Sequence, residues 1–258
     1  MTLRRDREGA ALVLTVDRPD AKNALSRDIA RELFEACAEA ATDATVRAVV
    51  VTGAGGTFVS GGDLRELRSA TSRADAEALS DWGAALCARL EDLPVPVIAA
   101  IDGAAIGGGA ELACACDLRV AGASASFSFR QARMGVTTAW GTSSRLPAIV
   151  GAGHAARLLL FGAAIGAEEA ARIGLVDEIA SETSALAAAL ACVAELGRAS
   201  PSAVARMKAL LVHARRPSDA ARGLERASFV ESWVSADHVD AVEAFFEKRP
   251  PRWSPRQP

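Results

Sequence analysis

The chain has 258 residues, half of them hydrophobic and only 5% aromatic, with a formal net charge of −3. That length allows one large domain, or one domain with an appendage, around a core filled mainly by aliphatic side chains and alanine. It carries no basic block that would suit nucleic acid, and its apolar runs, such as residues 95–101, are too short to span a membrane.

The opening residues, Met1 to Asp6, are partly basic with no apolar stretch behind them, so no secretory leader is expected. Residues 11–17 read as a strand ended by the turn tripeptide Arg18-Pro19-Asp20. Ser26 is placed to cap a helix whose apolar positions Ile29, Leu33, Phe34 and Cys37 recur at three- and four-residue spacing. Residues 47–52 and 95–101 read as buried strands. Between them the polar stretch 69–75 reads as a mobile loop before a helix running to about Leu93. Residues 118–121 and 126–129 suggest short strands. After Gly151 helical patterns dominate: 155–161, 167–173, 184–196, 201–213 with Pro201 in a first turn, 218–234, and 240–248 closed by Pro250-Pro251. The pattern is an α/β core with a helical C-terminal region.

Five cysteines, Cys37, Cys87, Cys114, Cys116 and Cys192, are an odd number in a chain too large to need staples, which predicts reduced thiols in a cytoplasm. Cys114-Ala115-Cys116 lacks the two-residue spacer of zinc or redox pairs and reads as small filler on a buried helix. His154, His213 and His238 are scattered, and no metal site is expected.

Two glycine-rich turns, Ser60-Gly61-Gly62-Asp63-Leu64 and Gly107-Gly108-Gly109-Ala110-Glu111, each follow a strand-like run. Glycine lets the chain bend sharply and lets a ligand approach the backbone. Two N–H groups converging from helix starts would form an oxyanion hole, which stabilises charge developing on a carbonyl oxygen. Neither turn has the lysine of a P-loop or the position of a dinucleotide fingerprint. Glu111 lies one helical turn in, and side chains on a helix tilt toward its N-terminus, so its carboxylate projects back toward the same place. There it can hold a water or pass a proton.

With both turns placed, the chain resembles the crotonase superfamily, the enoyl-CoA hydratase/isomerase family. The resemblance runs through residues 18–25, 53–64, 96–119 and 244–249, in the family's order. It implies a crotonase-like spiral of ββα turns over residues 1–195, and a C-terminal helical trimerisation region over residues 196–258. It also implies a CoA thioester as substrate, no cofactor beyond that CoA, and a homotrimer or dimer of trimers. The oxyanion donors would be Gly62 and Gly108. Expected substrate contacts are Lys22 and Ala24 in the N-terminal loop, Ser60, Asp63 and Leu64 in the first turn, and Arg130 and Trp140. From the last helix of a neighbouring subunit, Phe245 and Lys248 would reach across. Residues 69–77 are expected to shape the acyl pocket.

One position departs from the hydratase pattern. Where the family has a second glutamate, counting from Phe127 and back from Gly135 gives Gln131, which hydrogen-bonds but does not exchange a proton. A neighbouring register gives Arg130 or Ala132, and neither is a carboxylate. The same stretch, with Met134-Gly135 and Trp140-Gly141, resembles the ethylmalonyl-CoA decarboxylase branch. In such an enzyme Arg130 or Arg133 would pair with the departing carboxylate. Three readings follow: hydration or dehydration of a 2-enoyl-CoA with Glu111 and an orienting Gln131, decarboxylation of a malonyl-type thioester, or a weakly active CoA-binding homologue. The chain has no tyrosine, which removes mechanisms that depend on a phenol.

Overall fold

Residues 48–53, Ala-Val-Val-Val-Thr-Gly, lack polar alternation, the pattern of a parallel strand covered on both faces. A computed structural model describes residues 3–215 and 218–254 and shows five of those six residues buried. Met1 and Thr2 of the expected leader-free start, and residues 216–217 and 255–258 of the expected C-terminal region, lie outside the described residues.

The chain opens with strands β1 (Leu3–Glu8) and β2 (Ala11–Val16) and helix α1 (Arg27–Thr42). Then come β3 (Ala48–Gly53), β4 (Thr57–Val59), α2 (Leu64–Leu67) and α3 (Arg73–Glu91). The next turn is β5 (Val97–Ile101), β6 (Ala104–Ile106) and α4 (Gly108–Ala115), followed by β7 (Leu118–Gly122), β8 (Ser126–Ser128) and α5 (Thr142–Phe161). Short elements β9 (Ile165–Gly166), α6 (Ala167–Arg172) and β10 (Glu178–Ala180) lead to α7 (Ala185–Glu195), α8 (Pro201–Arg215), α9 (Asp219–Trp233) and α10 (Ala236–Glu247).

Strands β1 and β2 pair antiparallel in one sheet; from β3 to α5, each ββα turn then gives its first strand to that sheet and its second strand to another. The larger sheet has the order β1-β2-β3-β5-β7-β10 and the smaller one β4-β6-β8-β9. Successive turns add parallel neighbours: β3 to β5 to β7 in the first sheet, β4 to β6 to β8 in the second. This is the spiral expected from the sequence. Leu33 and Cys37 of α1, Leu86 and Leu90 of α3 and Leu112 of α4 fill the main core against one face of the larger sheet. Ala185, Ala189 and Val193 of α7 cover the other face, over Val13, Val50, Ile98 and Val120.

Several boundaries differ from expectation, each for a local reason. Within the expected loop 69–75, α3 already starts at Arg73, because Ser72 and Asp75 form a reciprocal capping box: Asp75 N donates to Ser72 Oγ at 3.1 Å and Ser72 N to Asp75 Oδ2 at 3.0 Å. Strand β1 escapes a search for apolar runs because five of its six residues are exposed at the sheet edge. Helix α5 begins at Thr142, ahead of the expected 155, and bends at Gly151, whose φ is 78°. Phe34 belongs to the α1 apolar spacing yet is 42% exposed, lying under the Arg89 guanidinium.

Candidate active site

The parallel pairing of β4 with β6 places the two glycine turns side by side, since each turn leaves the C-terminal end of its strand. They meet closely: a Cβ on Gly61 would lie 3.1 Å from Ile106 O and 3.3 Å from Gly108 N. Gly61 has φ 95°, a conformation that side chains other than glycine rarely adopt. Gly62 and Gly108 both stand at the approach to a helix, α2 and α4. Among the described residues, neither N–H has an acceptor.

The two turns are held differently. The first is stitched to the N-terminal loop: Leu25 N donates to Gly61 O at 2.8 Å and Asp63 N to Leu25 O at 3.0 Å. Asp63 caps α2 by accepting from Arg65 N at 3.1 Å, and its other oxygen meets the Arg18 guanidinium at 2.9 Å. Its carboxylate is therefore occupied in holding the turn. Arg18 also donates to Ala24 O, and buried Asn23 ties the loop to Ala54 O and Thr57 O. Lys22 is exposed and left-handed, with φ 51°; Ser60 and Leu64 are half-buried beside the turn. The second turn opens α4, whose seven residues after Gly108 are buried, and Gly107 N donates to Ser128 O of β8 at 2.8 Å.

Glu111 is buried in the first turn of α4. Gln131 Nε2 donates to its Oε1 at 2.8 Å, so the structure brings together the two residues that the sequence paired. On its other oxygen it accepts from Trp140 N at 3.1 Å and Ala139 N at 3.4 Å. Burial, with the Glu225 carboxylate behind it, pushes the Glu111 carboxyl up to about 7, against the pull of its Gln131 and Trp140 donors. An acid titrating there can give and take a proton near neutral pH. Gln131 Oε1 is buried without a partner among the described residues.

Trp140 is buried against the second turn. Its indole fills a slot between α3 and α4 that exists because both facing positions are glycine. A Cβ on Gly83 would stand 1.9 Å from Trp140 Nε1, and one on Gly108 would stand 2.5 Å from Cη2. Trp82 packs on the same ring, with centroids 5.2 Å apart. A buried pair fixes the turn from below: Arg145 binds both oxygens of Glu91, at 2.9 and 2.7 Å, and donates to Trp140 O.

Neither arginine of the decarboxylase reading is a partner of Glu111. Arg130 is exposed, and Arg133 donates to Phe161 O at 2.8 Å. Phe245 on α10 and Lys248 at its C-cap are exposed, and neither is a partner of Glu111 in the same chain. Sequence reading missed Glu225, a buried acid on α9, and the Glu91–Arg145 pair. No local signal marked them, because their partners lie tens of residues away.

A two-sheet spiral of ββα turns with a buried acid beside two adjoining glycine turns defines the crotonase class of fold. In overall structure the chain matches the crystal structure of an enoyl-CoA hydratase/isomerase from Pseudoalteromonas atlantica, with TM-score 0.87 and 28% identity over 98% of this chain and 100% of that one. The enoyl-CoA hydratase/isomerase family model matches residues 6–256, and the chain belongs to that family. Among its relatives is the short-chain-enoyl-CoA hydratase of Clostridium acetobutylicum, 35% identical over 95% of this chain and 94% of that protein. Another is the 2,3-dehydroadipyl-CoA hydratase of Escherichia coli, 33% identical over 97% of both.

Proposed function

We propose that the protein adds water to the double bond of a 2-enoyl-CoA, and runs the reverse dehydration, with Glu111 as the proton-transferring group. The carrying observation is the buried Glu111 carboxyl, poised near neutrality and oriented by Gln131 beside two glycine N–H groups that have no acceptor among the described residues. The N–H groups of Gly62 and Gly108 receive the thioester oxygen as it takes negative charge. Ionised Glu111 takes one proton from water as its oxygen bonds to C3, and the C2=C3 electrons shift toward the thioester to give the enolate. Protonated Glu111 then returns that proton to C2, leaving a 3-hydroxyacyl-CoA. Gln131 Oε1 is an acceptor for the second hydrogen of the attacking water.

Hydratase names among the relatives support this reading, and their different acyl groups leave the chain length open. The CoA portion is assigned to Lys22, Ala24, Ser60 and Leu64, with Trp140 walling the acyl end. No cofactor beyond the substrate's own CoA is required by this chemistry. Large exposed apolar residues, Leu160, Phe161, Leu210, Leu211 and Leu224 among them, support a trimer or dimer of trimers in which Phe245 and Lys248 serve a neighbour's site. Among the described residues no helix is long and apolar enough to cross a membrane, and five free thiols support a cytoplasmic setting. Incubation with crotonyl-CoA and, separately, methylmalonyl-CoA tests the reading. Formation of 3-hydroxybutyryl-CoA with no decarboxylation product is the expected result; the opposite outcome overturns it.

A further inference from the structure

The acid behind Glu111 comes from the C-terminal helices. Along α9, Glu225, Phe229 and Trp233 follow at four-residue spacing and form one buried face. The helix is capped by Ser218 and pinned by the Trp233 indole, which donates to Ala70 O at 2.8 Å. Glu225 is 7% exposed while its neighbour Leu224 is 71% exposed, so the helix turns a charge inward and an apolar side chain outward. A charge is buried at a large cost unless its hydrogen bonds are met.

They are met by one turn of chain. Glu225 accepts from Thr138 Oγ1 at 2.5 Å, Gly141 N at 2.7 Å and Ser143 N at 2.9 Å. The residues between, Ala139 and Trp140, aim their N–H groups the other way, at Glu111. Two buried carboxylates therefore grip residues 138–143 from opposite sides. The same helices hold the preceding segment: Ser232 Oγ accepts from Thr137 N at 3.2 Å, and His238 Nδ1 pairs with Met134 O at 2.7 Å.

We propose that Glu225 is a positioning residue of the site, acting on Glu111 through the 138–143 turn, and that the C-terminal helices are thus part of the catalytic apparatus as well as a surface for assembly. The inference rests on the hydratase reading for its rate effects alone. Its charge also bears on Glu111, and the other titratable groups facing that carboxyl are Cys87 of α3 and Cys114 of α4, both pushed up by burial and neutral. Arg145 of α5, next in the cluster, is neutralised by Glu91 of α3.

The test compares wild type, Glu225→Gln and Glu225→Asp by infrared pH titration of the Glu111 carboxyl, identified by the band lost in Glu111→Gln. Removing the Glu225 charge favours ionisation of Glu111, so in Glu225→Gln the midpoint is expected to fall by about one unit from its value near 7. Glu225→Asp keeps the charge and returns the midpoint toward wild type. With crotonyl-CoA, Glu225→Gln is expected to lower kcat about tenfold with little change in KM, since the misplaced group acts in the reaction and not in binding. An unmoved or raised midpoint, or an unchanged kcat, overturns the proposal. The titration needs no substrate: a wild type that fails to hydrate crotonyl-CoA defeats the hydratase reading, and the midpoint still decides the role of Glu225. If Glu225→Gln does not fold, Thr138→Val removes one of the three anchors; a several-fold loss of kcat at constant KM is expected, and wild-type kcat overturns the proposal.

Discussion

The two glycine turns offer the same chemical group and are supported in opposite ways. Around Gly108 the backbone begins an eight-residue helix that is buried almost throughout, with the Trp140 indole against the glycine and a strand bond at Gly107. Around Gly62 it begins a four-residue helix, α2, with no buried residue, held by an ion pair and two hydrogen bonds to the N-terminal loop. Local stability follows buried contacts. One donor is therefore set into the core, and the other is carried on a segment able to adjust as a substrate enters. That difference suits a site in which the reacting thioester is fixed and the acyl portion varies.

The largest effect is expected at the group attached to the rigid turn. Glu111→Gln should lower the hydration rate about 100- to 10,000-fold, with circular dichroism unchanged. A rate near wild type would detach the rigid turn from the chemistry.

Next come the donors themselves. Gly108→Pro and Gly62→Pro each delete one N–H, and each should cost roughly 100- to 1,000-fold in kcat. Their stabilities should part: a ring at 108 meets the Trp140 indole, whereas a Cβ at 62 meets only the Leu67 side-chain tip, at 2.8 Å. Thermal melting should therefore fall more for Gly108→Pro, and equal melting would erase the contrast.

The pH dependence has a defined sign. In the proposed mechanism hydration starts from ionised Glu111, so kcat/KM for crotonyl-CoA should rise with pH through about 7. Dehydration of the 3-hydroxyacyl thioester needs the protonated form and should fall over the same interval. Stability moves with the proton too. The folded carboxyl titrates above the ordinary glutamate value of 4.5, so its favourable contribution is complete below about 4.5 and is lost as pH rises through about 7. Urea midpoints measured at pH 5 and pH 8 check this; a midpoint that does not drop in wild type relative to Glu111→Gln argues against a buried ionising acid.

Smaller effects belong to the adjustable turn. The Arg18–Asp63 pair is partly exposed, and such pairs contribute about 1 kcal/mol or less. Arg18→Ala should thus change kcat/KM by about fivefold at most. A loss as large as that of the proline variants would show the first turn to be as rigid as the second. Lys22→Ala and Lys248→Ala should weaken CoA binding only modestly, with the difference vanishing as salt is raised. Calorimetry at two ionic strengths reads this, and equal affinity at low salt removes both lysines from the nucleotide site.

Much of this molecule is local enough to read from a string of residues. Ser26 caps α1 and the Ala-Val-Val-Val run is a covered strand because each property depends on near neighbours. Glu111 follows Gly108 at a helical spacing, and Gln131 was placed by counting, so the acid and its amide partner were both legible. Strand β1 was not, because an exposed edge has no apolar periodicity to detect. Glu225 was hidden for a different reason: an acid on an amphipathic helix looks like part of a solvated face.

The sequence by itself determined the class of chemistry, since glycines, one glutamate and one missing glutamate sit inside short motifs. Only the tertiary structure decided how that chemistry is supported. The parallel pairing of β4 with β6 sets two distant turns against each other. The fold also carries α9 across to residues 138–143, where buried N–H groups require an acceptor and Glu225 supplies it. That demand arises from burial, which no residue possesses until the chain has folded around it.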